Sequence, residues 1–358
     1  MVFGWMTLGV AIGACFYTYS VNPSQIPVSR SEASFKLREF WYRTFFMHQS
    51  APYLTEQSQI LQHPPPKNAL SPAQAYNDAA APANTVLGKA VNEDRMPVFF
   101  VAHGPPSIEY EAESLVYTSW QVVGQQIVNH KPKAIVVVSS GWEGGNEVVH
   151  VNTGLGNPLI YGSDGFPPEF YDRTFRSRSD PDLAVKVIGL LLENGITASG
   201  IDRGLDYGAW IPFKAMFNGS TDIPVVQVSL FKTSSPEQAL KLGAALRSLR
   251  VESILLIGTG MPVYSVGNMH KYDLKLAARY TKEFDAQVQS AVTDYTGQNR
   301  EVKCKELVFS SAFANDHPSP TSLWPLYFAV GAAGEDEGEI LFSMLDGSMA
   351  ASGCALLS

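Results

Sequence analysis

Apolar and polar positions fall into distinct blocks from Met96 onward. PVFFVA (97–102) is a short apolar run that ends in the turn His103-Gly104-Pro105-Pro106. KAIVVVSS (133–140) is a continuous β-branched run, the pattern of a strand buried on both faces. Further strands are predicted at 197–201, 223–230 and 252–258. Between them the spacing predicts helices over 111–129, 181–194, 235–249, 271–296 and 323–332. Asp180-Pro181 and Ser235-Pro236-Glu237 supply start signals for two of these, and Gly195 follows the end of the first. Strands that alternate with helices define an α/β fold, here a single domain with a largely parallel central sheet flanked by helices. In such sheets ligands bind past the carboxyl ends of the strands. That directs attention to His103–Pro106, to Ser139-Ser140-Gly141-Trp142-Glu143 and to Gly258-Thr259-Gly260-Met261.

The first 95 residues read differently. Residues 1–21 carry no charged side chain, with Trp5 near one end and Tyr17 and Tyr19 near the other. This length matches a single-pass transmembrane helix or signal anchor, with aromatics at the interfaces. A cleaved signal peptide would want a basic segment before the apolar run, and none is there; a helix buried in the domain is the other reading. Arg30, Lys36, Arg38 and Arg43 follow the segment and would hold the main domain in the cytosol. The sequon Asn218-Gly219-Ser220 would matter only in a secretory lumen, so the side of the membrane stays open. Residues 22–95 are expected to be a partly irregular linker. They include an aromatic, arginine-bearing stretch at 38–47 and the Pro- and Ala-rich HPPPKNALSPAQAYNDAAAPAN.

Composition narrows the function classes. Hydrophobic residues make up 45% of the chain and charged residues 17%, so it can bury an enzyme-sized core. A net charge of −8 and a pI near 5.4, with no basic stripe, argue against a nucleic-acid partner. Cys15, Cys304 and Cys354 form no C-x-x-C pair and cannot build a disulfide framework or a thiolate zinc site.

The three strand-end segments belong to a wider set. PVFFVAHGPP, PKAIVVVSSGWE, GFPPEFYD, GLDYGAWIPF, IPVVQVSL, LIGTGMPVYSVGN and HPSPTSLWPLYFAVGAA occur in this order from 97 onward. Together they make residues 96–358 resemble the class III extradiol ring-cleavage dioxygenases of the DOPA 4,5-dioxygenase type. Residues 1–95 lie outside the resemblance. The resemblance implies one divalent metal, ferrous iron in active members and sometimes zinc in crystals, held mainly by histidines. Open metal positions would admit catechol and O₂, and a further histidine would move protons.

Carried over position by position, the resemblance implies a depleted metal shell. His103 matches the turn histidine and is the one family ligand retained. The second ligand position holds Gly141, within Ser139-Ser140-Gly141-Trp142 where the family has Ser-Ala-His-Trp. The family's base position holds Tyr207, beside Asp206. Tyr264 and Tyr161 stand where further histidines are expected, and Thr321-Ser322 follows Pro320 in place of Glu-His. Glycine cannot ligate, and tyrosine with a pKa of about 10 is a poor ligand for ferrous iron. A rebuilt shell of His103, Glu143 and His317 would formally be two histidines and a carboxylate. His130, His150 and His270 read as surface or hydrogen-bonded histidines.

These substitutions imply a pocket lined by His103, Tyr161, Tyr207 and Tyr264, with Trp142, Asp206 and Ser322 around it, suited to an aromatic small molecule. His103, Tyr207 and Tyr264 are the candidate catalytic groups, with His103 as base and a tyrosine as acid. The bland alternative is that the tyrosines fill the volume left by metal and imidazoles. Three functions follow. The first is a membrane-anchored family member that binds or transforms an aromatic metabolite with no bound metal. The second is a working ring-cleaving dioxygenase with Fe(II) or zinc in an unusual shell. The third is a non-catalytic scaffold.

Overall fold

The structure is a computed structural model. It describes residues 7–12, 15–20 and 95–357, less 111, 146, 163–167, 233, 265–278, 317–319 and 347–348. The chain divides into two compact units, Met1–Glu56 and Gln57–Ser358.

In the first unit, β1 (Thr7–Ile12) and β2 (Cys15–Ser20) pair antiparallel, from Ile12 opposite Cys15 to Thr7 opposite Ser20. This corrects the expected transmembrane helix. The segment is rich in Val, Ile, Thr, Phe and Tyr, which favour strands, and two residues, Gly13 and Ala14, separate the paired runs. Among the described residues no helix is long and apolar enough to cross a membrane.

The second unit is built on a nine-stranded sheet. Its strands in chain order are β3 (Val98–Ala102), β4 (Ala134–Glu143), β5 (Val149–Asn152), β7 (Ala198–Ile201), β9 (Val225–Leu230), β10 (Ile254–Gly260), β11 (Val263–Tyr264), β12 (Glu337–Asp346) and β13 (Met349–Leu357). The short strands β6 (Leu159–Ile160) and β8 (Leu205–Asp206) form a separate parallel pair. The sheet order is β11-β13-β3-β10-β4-β9-β5-β7, with β12 on β13. The centre, β3-β10-β4-β9, is parallel throughout. The flank made by β11, β12 and β13 is antiparallel, and β5 runs antiparallel to β9. The parallel centre matches the sequence expectation; the C-terminal hairpin is additional.

Each face of the sheet carries its own core. On one face Val136, Val138, Val226 and Leu256 pack against the helices Pro181–Glu193, Pro236–Leu246 and Trp324–Ala333. On the other, Phe99, Ile135, Val137 and Ile257 pack with Trp120 and Trp210 from the helices Leu115–Asn129 and Tyr207–Met216. Burial on both faces is why the central strands are apolar at consecutive positions rather than alternating. Helix starts follow the capping chemistry in the sequence. Ser114, Asp180 and Ser235 each accept a backbone N–H in the first turn, and Ser235 with Gln238 forms a reciprocal capping box.

Two devices position the strand ends. Glycine lets the helix Trp324–Ala333 lie close on β10: a Cβ on Gly258 would come 2.2 Å from the Pro325 carbonyl oxygen, and one on Gly260 would come 2.3 Å from that of Ser322. A buried ion pair fixes the approach to β3. Arg250 Nη2 meets Asp336, its Nε donates to the Met96 carbonyl at 2.6 Å, and its Nη1 reaches Ala332 and Ala333. Such a pair is tolerated in the interior because its donors are matched by acceptors.

Candidate active site

Four chain segments meet at the carboxyl ends of β3, β4 and β10. The His103 backbone N–H donates to the Gly260 carbonyl at 2.9 Å, continuing the β3–β10 pairing by one residue. The Gly104 N–H faces Met261 Sδ at 3.3 Å, and the Met261 N–H donates to the Ser322 carbonyl at 2.7 Å. Thr321 donates to the exposed Glu143 carboxylate at 3.0 Å, joining the loop before Trp324 to the end of β4. Between Val138 and Glu143 the register of β4 against β9 shifts. The irregularity takes Ser139, Ser140, Gly141 and Trp142 out of the pairing with β9, while Ser139 still pairs with Thr259 of β10.

His103 sits at the centre and is 6% exposed. Its Nδ1 lies 2.6 Å from the Gly104 carbonyl oxygen, and its Nε2 lies 2.9 Å from Ser140 Oγ. A carbonyl can only accept, so Nδ1 carries the proton and donates. In the neutral ring Nε2 is then the acceptor, and the Ser140 hydroxyl donates to it. Burial pushes the imidazole below its ordinary pKa, opposed by the Gly104 hydrogen bond and the charge of Asp206. The rings of His103 and the half-buried Tyr207 pack edge to face, with centroids 5.9 Å apart at 85°.

Asp206 is the second hub. It is 1% exposed and caps the helix Tyr207–Met216 by accepting from the Ala209 N–H at 3.2 Å. Ser139 donates to its Oδ1 at 2.8 Å, and Gln227 donates to its Oδ2 at 2.5 Å. Arg203 lies 3.9 Å from Oδ2 and stacks on the Trp142 ring, its guanidinium 4.4 Å from the centroid. A Cβ placed on Gly208 would touch Ser139, Asp206 and His103 together, and one on Gly141 would come 2.8 Å from Asp206 Oδ1. Gly208 therefore marks the space between the two hubs, and Gly141 the close approach of β4 to Asp206.

The expected residues separate into groups. His103, Trp142, Asp206 and Tyr207 come together. Tyr161 lies apart: its hydroxyl donates to the Arg173 carbonyl at 2.7 Å, and its ring packs among Phe170, Tyr171 and Trp210. Its neighbour Gly162, at φ +90°, backs onto the Tyr207 ring. The Tyr264 backbone pairs with Met349 in β11, while its side chain and all of His317 lie outside the described residues. Ser322 is buried and holds Met261 through its carbonyl. Ser139, Ser140, Arg203 and Gln227 were not among the expected site residues. For Ser140 a signal existed: it is one of two changes within the Ser139–Trp142 motif.

Ferrous iron, as the family resemblance implies, needs several free lone pairs converging on one point. His103 Nε2 is engaged by Ser140, and its Nδ1 is protonated against Gly104. Gly141 offers no donor, and both oxygens of Asp206 accept hydrogen bonds. Among the described residues no three His, Cys, Asp or Glu side chains are grouped so as to hold a metal ion. The described donor set does not fit an iron centre.

A central parallel sheet, a turn histidine after its first strand and a capped helix opposite define the class of fold and site. Residues 96–350 match the family described as the catalytic LigB subunit of aromatic ring-opening dioxygenase, and the chain belongs to that family. A 4,5-DOPA dioxygenase extradiol of Beta vulgaris is 32% identical over 257 residues, 70% of this chain and 92% of the relative. A 4,5-DOPA dioxygenase extradiol-like protein of Schizosaccharomyces pombe is 29% identical over 265 residues, 70% of this chain and 89% of the relative. The crystal structure of an uncharacterized Escherichia coli K12 protein shares the fold at a TM-score of 0.59 and 24% identity, covering 73% of this chain and 100% of that one.

Proposed function

We propose that this LigB-family protein binds or transforms an aromatic small molecule without ring cleavage at bound iron. The observation that carries this reading is the closed hydrogen bonding of His103, with Ser140 on the nitrogen that a metal would need. Gly141 supports it from the other side, since a side chain there would be driven into Asp206. The resemblance places histidines where Gly141, Tyr207, Tyr161 and Tyr264 stand. The half-buried Tyr207 ring offers an aromatic contact to such a ligand. His103, as neutral base, would take a proton from a phenol of that ligand by way of the Ser140 hydroxyl on its Nε2, and the Tyr207 hydroxyl is the candidate acid.

The names of the relatives favour a second reading, an extradiol dioxygenase that opens catechol-type rings with a bound metal. Thermal unfolding of the full chain with catechol, with and without EDTA, separates the two. The proposal expects catechol to raise the melting temperature by the same amount in both, since a ligand at 100 times its Kd adds about 2.7 kcal/mol. A shift that EDTA abolishes would favour the metal-dependent reading, and no shift at all would remove the aromatic ligand.

A further inference from the structure

We propose that Ser140 and His103 form a nucleophile–base couple that cleaves an aryl ester. The inference rests on the reading above in one respect, that His103 Nε2 serves proton chemistry rather than a metal. The geometry is that of an activated serine. Ser140 Oγ lies 2.9 Å from Nε2, within the distance that proton transfer requires. The Gly104 carbonyl, 2.6 Å from Nδ1, fixes the ring and its tautomer, the task an acidic third residue performs in a triad.

Ser140 is also the serine that a substrate can reach. Its neighbour Ser139 is fully buried, donates to Asp206 and accepts the Gly141 N–H at 3.0 Å, so it is committed to structure. Ser140 lies at the strand irregularity, half-buried, next to a residue with no side chain. The half-buried Tyr207 ring against His103 suits an aryl leaving group.

The reaction balances without an oxidant. A bond forms between Ser140 Oγ and the acyl carbon as the hydroxyl proton passes to Nε2. The bond from that carbon to the aryl oxygen breaks, and the phenol departs with the proton from Nε2. Water then adds to the acyl-serine, giving its proton to Nε2, and the carboxylic acid leaves as Ser140 is restored.

The test is covalent labelling of the full chain with an alkyl fluorophosphonate, followed by intact mass and peptide mapping. Serine displaces fluoride at phosphorus, and the expected result is one phosphonyl group per chain, on Ser140. Ser140→Ala should abolish labelling, and His103→Gln should slow it by roughly 100-fold or more. p-Nitrophenyl acetate hydrolysis should fall in parallel. An unlabelled parent protein, or label that persists in Ser140→Ala, overturns the proposal. The catechol thermal shift, measured on the parent protein, reads the underlying function independently. A retained shift with no label in the parent sinks the couple alone. Label on Ser140 with no catechol shift supports the couple and sinks the aromatic-metabolite reading.

Discussion

Replacing Asp206 with alanine is expected to destabilise the domain by about 3–5 kcal/mol, the range for breaking a buried charged network. The carboxylate is almost fully buried and accepts from Ser139, Gln227 and the Ala209 N–H. Alanine would leave those donors without their acceptor in a space that the surrounding side chains close, and each such loss costs about 1–3 kcal/mol. It would also remove the cap of the helix Tyr207–Met216, which carries Tyr207 against His103. Asp206→Asn keeps one acceptor oxygen for Ser139 and Ala209 but turns an amide N–H₂ toward the Gln227 amide, so it should lie between. Urea unfolding is the measurement: a lower midpoint with an unchanged slope is expected for Asp206→Ala. A midpoint equal to that of the parent would show that Asp206 does not organise the site.

Gly141→His restores the residue that the family resemblance places at this position, yet it is expected to lose stability and to gain no metal. A Cβ at 141 would lie 2.8 Å from Asp206 Oδ1 and 2.9 Å from Cγ, closer than non-bonded atoms settle. The carboxylate cannot swing away freely, because Ser139, Gln227 and Ala209 hold it. Overpacking of this kind costs about 1–3 kcal/mol. The added imidazole would meet His103 with Ser140 still on Nε2, so two histidines would not share a free coordination point. Thermal unfolding with and without ferrous iron checks both parts. A variant as stable as the parent, with a melting temperature raised by iron, would mean that the glycine is only a missing ligand.

The parts of the fold legible in the sequence were those with one dominant pattern. The β-branched run 133–140 could only be a doubly buried strand, and it became the centre of the parallel sheet. The helix Tyr207–Met216 was not legible because Gly208 through Phe213 are all buried, leaving no polar face, and because Pro212 lies within it. The strand Met349–Leu357 reads MAASGCALL, small residues that favour neither period, and it forms through its pairing with β3 and β12. At the N-terminus apolarity alone did not separate a helix from two short strands.

The site divides in the same way. Motif and strand-end position both pointed to His103 and Trp142, and the motif alone pointed to Asp206 and Tyr207; the fold brings Tyr207 against His103 and Asp206 beside Ser139. Tyr161 follows from the motif alone, and its ring packs on Phe170 and Trp210. Ser140 could not be recognised as the partner of His103 from order in the chain, since the residues are 37 positions apart and meet only when β3 and β4 lie in one sheet.

The central claim is that His103 is held for proton chemistry by Ser140 and Gly104 rather than for a metal. Anaerobic loading of the full chain with ferrous iron, removal of the free ion and metal analysis, followed by oxygen uptake with catechol, tests it most directly. The account predicts iron well below one ion per chain and no catechol-dependent oxygen consumption. One retained ion per chain with oxygen consumed as catechol is opened would contradict it.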